Sequence, residues 1–120
     1  MAETLSDAEL ATVAELMRTL GHETRLRLLD TLRVKGETSV GELETLTGIG
    51  QPGLSQQLAI LRKAALVTTR RAAKLVYYSI APEAAGTANT FLARLSAMPE
   101  RGDRTPRRAR GAAATFAKIL

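Results

Sequence analysis

The residues best suited to chemistry in this sequence are short polar side chains followed by a group of basic ones. Ser55 and Gln56 lie in a segment whose leucines recur at helical spacing, and Arg70, Arg71 and Lys74 follow it. Glutamine pairs well with the edge of adenine, serine with a base edge or a phosphate, and arginine and lysine with phosphates or a narrow minor groove. This combination predicts contact with double-stranded DNA rather than the breaking of a bond.

Motifs typical of enzymes are matched only in part. Gly48, Gly50 and Gly53 satisfy G-x-G-x-x-G, but they follow a helical rather than a strand pattern, so we interpret them as a turn. His22 and Glu23 begin a zinc-protease motif whose second histidine is missing. The only histidine, His22, is expected at or just before the start of a helix, and no carboxylates stand at metal-ligand spacing. We therefore predict no catalytic residue, no metal site and no cofactor.

Two helices are predicted before the polar segment. Ser6 caps the first, with Glu9 three residues on, and Gly21 ends it. The second runs from about Glu23 to Val34. The apolar residues expected to face the core are Leu10, Val13, Leu16, Met17 and Leu20 in the first helix and Leu26, Leu29 and Leu32, with Leu28 beside them, in the second.

A helix–turn–helix pattern follows. Ser39 is expected to cap a short third helix, and Gly48 suits its C-terminal end. Pro52 is favourable in the first turn of a fourth helix, where its missing N–H has no partner to lose. Gln56 and Lys63 lie opposite the leucines of this helix, so polar side chains are available on its solvent side. The apolar stripes are Val40, Leu43 and Leu46 in the third helix and Leu54, Leu58 and Leu61 in the fourth.

Between Leu66 and Ile80 the residues become β-branched and aromatic, which predicts two strands with the basic cluster at their turn. Pro82 then permits a fifth helix at about Glu83 to Met98. Alternation places Val76, Tyr78 and Ile80 on one face of the second strand and Leu75, Tyr77 and Ser79 on the other. The predicted class is mainly α with a small β-hairpin, a winged helix–turn–helix.

The first and last helices carry more apolar residues than the winged unit needs. They either complete the core of one chain or form a dimer interface, and we favour the dimer because both lie outside the compact unit. The predicted interface consists of Leu10, Val13, Leu16, Met17, Phe91, Leu92 and Leu95.

Composition defines one domain and a basic extension. A chain of 120 residues suits a single domain, assigned to residues 1–99, and the five arginines of RGDRTPRRARG predict a flexible basic tail over residues 100–120. The formal charge of +5 suits a polyanionic partner. The absence of cysteine excludes disulfides and thiol-based sensing. We expect a cytoplasmic protein without membrane partners, because no apolar run reaches the length of a span and the acidic N-terminus is unlike a signal peptide.

Residues 21–80 resemble the ArsR (SmtB/ArsR) family of bacterial winged-helix repressors. The matching segments are LGHETRLRLLDTL, SVGELETLTGIGQPGLSQQLAILRKAALV and TTRRAAKLVYYSI, in this order. The stretch QPGLSQQLAILRKAALVTTRR is especially similar to the branch containing the persulfide- and biofilm-linked repressors. The resemblance implies a homodimer joined through its first and last helices, with two recognition helices in successive major grooves of a pseudo-palindromic operator.

The resemblance also implies site residues. Gln51, Ser55, Gln56 and Gln57 match the recognition-helix contacts, although helical angle alone places Gln57 nearer the leucine stripe. Arg62 has two interpretations, a DNA contact or a structural tie between helices.

Two departures from the family concern the wing and the sensor. The family's wing turns on Asp-Gly, whereas this chain has Ala72-Ala73, which predicts a longer, looser or differently shaped wing. Metal-sensing relatives place thiols where this chain has Ser39, Val40 and Gly41, or histidines and carboxylates where it has Asn89, Thr90 and Arg94. Persulfide-sensing relatives need a cysteine about where Asp30 stands. Metal or thiol sensing is therefore not expected.

The predicted function is sequence-specific binding of a DNA operator by a dimeric repressor. An effector, if there is one, is a small molecule or a partner protein. The alternatives are a winged-helix protein-interaction module and an architectural protein that binds DNA without sequence preference.

Overall fold

The computed structural model describes residues 3–97. In this part of the chain, helices dominate and three short strands form one sheet, which confirms the predicted mainly α winged helix–turn–helix. The predicted basic tail lies outside the described residues. The elements in chain order are α1 (Asp7–Leu20), α2 (Glu23–Lys35), β1 (Thr38–Ser39), α3 (Val40–Thr47), α4 (Gly53–Lys63), β2 (Val67–Ala72), β3 (Leu75–Ile80) and α5 (Gly86–Ser96).

Two helices begin with the predicted capping residues. Ser6 and Glu9 form a reciprocal capping box at α1, and Ser39 and Glu42 form another at α3, so each pair satisfies backbone N–H groups that a helix start leaves without partners. Gly48 follows α3 in the left-handed conformation, with φ of 76°. The starts of both helices are thus determined by local sequence.

The sheet contains one strand more than the sequence predicted. Its order is β1-β3-β2, and both pairings are antiparallel. Thr38 and Ser39 of β1 pair with Tyr78 and Tyr77 of β3. A strand of two residues is too short to show an alternation of apolar and polar side chains in the sequence. It is recognised only by its pairing with β3.

The core is built from leucines of α2, α3 and α4. Leu54, Leu58 and Leu61 are completely buried, as their spacing predicted. In α2, however, the buried residues are Leu28 and Leu32, and the predicted face position Leu26 is 49% exposed. Leucines occupy several faces of α2, so their spacing alone does not show which face is buried against the neighbouring elements.

The hairpin turn is short. Ala72 pairs with Leu75, which leaves Ala73 and Lys74 as a two-residue loop, and Ala73 has a φ of 56°. An alanine therefore adopts the left-handed conformation that glycine usually supplies in such turns. The absence of Asp-Gly has not lengthened the wing.

The last helix is shorter than predicted. It begins at Gly86 rather than near Glu83, and Ala85 precedes it with a φ of 59°. A left-handed residue interrupts the right-handed helical path, so the turns after Pro82 do not join the helix. No described helix is long and apolar enough to span a membrane.

Candidate nucleic-acid interface

Helix α4 presents polar side chains to solvent while its leucines hold it in the core. Ser55 and Gln56 are exposed, and Leu54 and Leu58 on either side of them are fully buried. The helix packs against α2 and β2. The exposed pair therefore projects from a fixed backbone, which is what hydrogen-bonded reading of base edges requires.

Gln51 also serves the start of α4. Its side-chain oxygen Oε1 accepts a hydrogen bond from the backbone N–H of Ser55 at 3.1 Å. This contact satisfies one of the N–H groups at the start of the helix. The amide nitrogen of Gln51 is still able to donate to a base or a phosphate.

Gln57 has an intramolecular partner that the sequence did not reveal. Its Oε1 accepts a hydrogen bond from Nε of Arg25 at 2.8 Å, and the side chain is half-buried. Arg25 also donates from Nη1 to the carbonyl oxygen of Thr19 at 3.3 Å. One guanidinium thus connects the last turn of α1 with α4. The contact agrees with the helical angle of Gln57, which placed it beside the leucine stripe.

The wing places its two adjacent arginines on opposite faces. Arg70 pairs with Tyr77, and Arg71 pairs with Val76. Side chains alternate between faces along a strand, so Arg71 shares the face of Val76 and Tyr78, while Arg70 shares the other face with Tyr77. Tyr78 packs against the core, which marks the face of Arg71 as the inner one.

Arg70 is paired within the protein. Its Nε and Nη2 donate to the two carboxylate oxygens of Glu37, both at 2.8 Å, and its guanidinium carbon lies 5.2 Å from the centre of the Tyr77 ring. The hydrogen bond from Arg70 lowers the pKa of Glu37, and the same bond raises the pKa of Arg70. Glu37 follows α2 and carries no motif, so only the fold identifies it as a partner.

The remaining predicted basic contacts are exposed. Arg62, Arg71 and Lys74 make no side-chain hydrogen bond or ion pair with any residue in the described range. The sequence left two interpretations of Arg62, a DNA contact or a contact that ties two helices together. The structure gives no support for the second. All three side chains are available to an anionic partner.

Helices α1 and α5 pack against each other and leave apolar side chains uncovered. Leu10, Leu92 and Leu95 are 50%, 47% and 52% exposed. Leu16, Met17 and Phe91 are half-buried, and Val13 is already buried within one chain. The uncovered part of the predicted dimer interface therefore consists mainly of the three exposed leucines.

Among residues 3–97, no group of histidine, aspartate and glutamate side chains is arranged to hold a metal ion.

The consecutive helices α3 and α4, the leucines that anchor α4 in the core and the basic hairpin define a winged helix–turn–helix protein. A helix-turn-helix domain family matches residues 20–70. The chain is 48% identical over 88 residues to the biofilm growth-associated repressor of Agrobacterium fabrum. This alignment covers 73% of this chain and 74% of that protein. It is 56% identical over 68 residues to the repressor of the same name from Xylella fastidiosa, but this alignment spans only 57% of the chain and 59% of that protein.

Solved structures agree with this assignment. The transcriptional repressor BigR from Xylella fastidiosa has 43% identity and a TM-score of 0.60, covering 79% of this chain and 94% of that one. HlyU from Vibrio cholerae has 33% identity and a TM-score of 0.62, covering 78% of this chain and 100% of that one. The chain belongs to the ArsR/SmtB family of winged-helix transcriptional regulators. The similar proteins are regulators of transcription, not enzymes.

Proposed function

We propose that this protein is a cytoplasmic transcriptional regulator that binds double-stranded DNA in a sequence-specific manner, as a homodimer and as a repressor. The observation that carries the proposal is the arrangement of α4, whose exposed Ser55 and Gln56 stand between completely buried leucines. A rigid helix with short polar side chains on its solvent face suits the major groove.

The predicted contacts divide by chemistry. Gln56 and Ser55 read base edges, with Gln56 suited to adenine, while Arg71, Lys74 and Arg62 bind phosphates. Gln51 contributes its amide nitrogen, because its oxygen is already bonded to α4. The oxygen of Gln57 is bonded to Arg25, so Gln57 reaches DNA only with its amide nitrogen or after that contact breaks.

Homodimerisation through α1 and α5 gives the apolar leucines of both helices a partner. Leu10, Leu92 and Leu95 form the centre of this interface. A two-fold dimer places two copies of α4 about one helical turn of DNA apart, which is roughly 34–36 Å. The operator is therefore a pseudo-palindrome.

The regulatory signal is neither a metal ion nor the oxidation of a thiol. The sequence contains no cysteine, and Asn89, Thr90 and Arg94 occupy the positions at which the family resemblance implies metal ligands on the last helix. A small organic molecule or a protein acts as the effector if regulation is direct.

Repression is favoured by the names of the relatives with 56% and 48% identity, both biofilm growth-associated repressors. A regulator of this fold represses most simply by occupying the promoter. HlyU of Vibrio cholerae is named a transcriptional activator, so a reporter assay with the selected operator has to confirm the direction.

Selection of bound sequences from a random double-stranded DNA pool tests the proposal. We expect the purified protein to enrich an inverted repeat, and to do so equally with a chelator present. Replacing Ser55 and Gln56 with alanine should reduce the preference for the selected operator over random DNA. Arg71→Met is the contrasting variant, because loss of a phosphate contact weakens binding to both DNAs alike.

Two other results would contradict the proposal. Salt-sensitive binding without enrichment would indicate an architectural protein. No DNA preference together with a stoichiometric protein partner would indicate a winged-helix interaction module.

A further inference from the structure

Glu37, Tyr77 and Arg70 form a contact across the outer face of the sheet, which we call the wing strap. Arg70 lies on β2, Tyr77 pairs with it from the central strand β3, and Glu37 directly precedes β1. The arginine extends over the tyrosine ring and binds both carboxylate oxygens on the far side. All three strands of the sheet are thereby joined by one side chain.

The wing strap lies at the edge of the three-stranded part of the sheet. Tyr77 is the last residue of β3 toward the hairpin tip that has a partner on both sides, Ser39 in β1 and Arg70 in β2. Beyond this row, toward Ala73 and Lys74, only two strands continue. A two-stranded hairpin is marginally stable by itself in water, so an anchor at this row determines where the tip points.

The same geometry engages two of the five N–H donors of Arg70 with Glu37. Its Nε and one terminal nitrogen donate to Glu37 in the bidentate geometry with which arginine also binds a phosphate. Arg71 lies on the opposite face, and Lys74 lies in the exposed turn. The two arginines of the wing are therefore not equivalent.

We propose that Glu37 is a positioning residue for DNA binding. It engages Arg70 as a structural strap, and the strap holds the wing so that Arg71 and Lys74 meet the DNA backbone. This inference rests on the proposed function, because it assigns roles within the same DNA-binding surface.

The test compares the wild type with Glu37→Gln, Arg70→Met, the double variant of these two, and Arg71→Met. The probes are the duplex that the wild type selects from a random pool and a random-sequence duplex of equal length. Binding constants are measured over a range of salt concentrations. Glu15→Gln is the matched control, because it removes a carboxylate from another exposed ion pair, with Arg18 on α1.

We expect Glu37→Gln and Arg70→Met to weaken binding to a similar extent, by about twofold to fivefold per wing, the range that an exposed ion pair can supply. The double variant should be no weaker than either single one, because both remove the same strap. The salt slope should stay unchanged in all three. In Arg71→Met the slope should become shallower by about 0.9 per subunit, and Glu15→Gln should bind like the wild type.

Hydrogen exchange of the free protein supplies a readout that needs no DNA. Amides of the hairpin tip should exchange faster in Glu37→Gln and in Arg70→Met than in the wild type, and Glu15→Gln should leave them unchanged. Exchange in α4 should stay slow in all of them, which shows that the fold is intact.

Three results would overturn the inference. Tighter binding and a steeper salt slope in Glu37→Gln would show that Arg70 contacts phosphate and that Glu37 competes for it. Unchanged binding in Glu37→Gln would show that the strap has no role in DNA binding, and a shallower slope in Arg70→Met would assign it a phosphate. If the wild type selects no sequence from the pool, the proposed function fails, whereas the exchange data still report on the strap.

Discussion

Identical residue types at adjacent positions have different roles in this protein. Arg70 and Arg71 are indistinguishable in the sequence, where both belong to a basic cluster. In the sheet they lie on opposite faces, and among residues 3–97 only Arg70 meets a carboxylate. A cluster of basic residues on a strand therefore predicts binding of an anion, but the pairing register decides which of them is available.

The Glu37 carboxyl group gives a prediction at this scale. Its pKa lies below its ordinary value of 4.5, first because Arg70 donates a hydrogen bond to the charged form. A depressed pKa means that this pair stabilises the fold above the ordinary pKa and that the stabilisation disappears as the pH falls through the value in the folded state. An NMR titration should show a Glu37 pKa below 4.5 in the wild type and close to it in Arg70→Met.

Arg71→Met is the control for this titration, because it removes a neighbouring charge from the opposite face of the strand. The Glu37 pKa should stay lowered in that variant. Equal Glu37 pKa values in the wild type and Arg70→Met would contradict the strap geometry.

At the scale of elements, the starts of α1 and α3 could be predicted from local sequence, whereas the buried face of α2 could not. The capping boxes of Ser6 and Ser39 depend on residues three positions apart, so the local sequence is sufficient. The buried face of α2 depends on α3, α4 and β3, which come later in the chain. Leu26 was therefore assigned to the wrong face, whereas Leu58, in a helix with a narrow stripe, was assigned correctly.

The capping box of α3 leads to a prediction about the stability of the fold. Ser39 is 6% exposed, and its hydroxyl oxygen accepts a hydrogen bond from the backbone N–H of Glu42 at 3.2 Å. Ser39→Ala should lower the free energy of unfolding by about 1 kcal/mol, as loss of a helix cap usually does. Urea denaturation followed by circular dichroism measures the change.

Ser6→Ala is the matched control for the cap, because Ser6 makes the same box at the exposed start of α1. Its removal should mainly fray the first turn of α1 and change global stability less. If Ser6→Ala costs as much as Ser39→Ala, burial of the second cap adds nothing.

At the scale of the whole molecule, the proposed dimer is tested on the apolar surface that α1 and α5 leave exposed. Leu92→Glu places a charge among the exposed leucines of this surface. The variant should sediment with the 12.9 kDa of a single chain, and the wild type with twice that mass. It should also lose affinity for the full inverted repeat, since a monomer binds one half-site.

Val34→Glu serves as the control for dimerisation. Val34 is 64% exposed on α2, outside the proposed interface, and this variant should sediment like the wild type. A monomeric wild type, or a dimeric Leu92→Glu, would exclude α1 and α5 as the interface.

The sequence by itself determined the order of the helices, their caps, the leucine stripe of α4, the hairpin and the family, because each depends on residues close together in the chain. Tertiary structure decided the rest. Arg25 and Gln57 are 32 positions apart, and Glu37 and Arg70 of the wing strap are 33 positions apart. Side-chain contacts over such separations depend on strand register and helix packing, which periodicity does not encode. The predicted DNA contacts therefore stay a prediction, and the fold adds intramolecular partners for three of them, Gln51, Gln57 and Arg70.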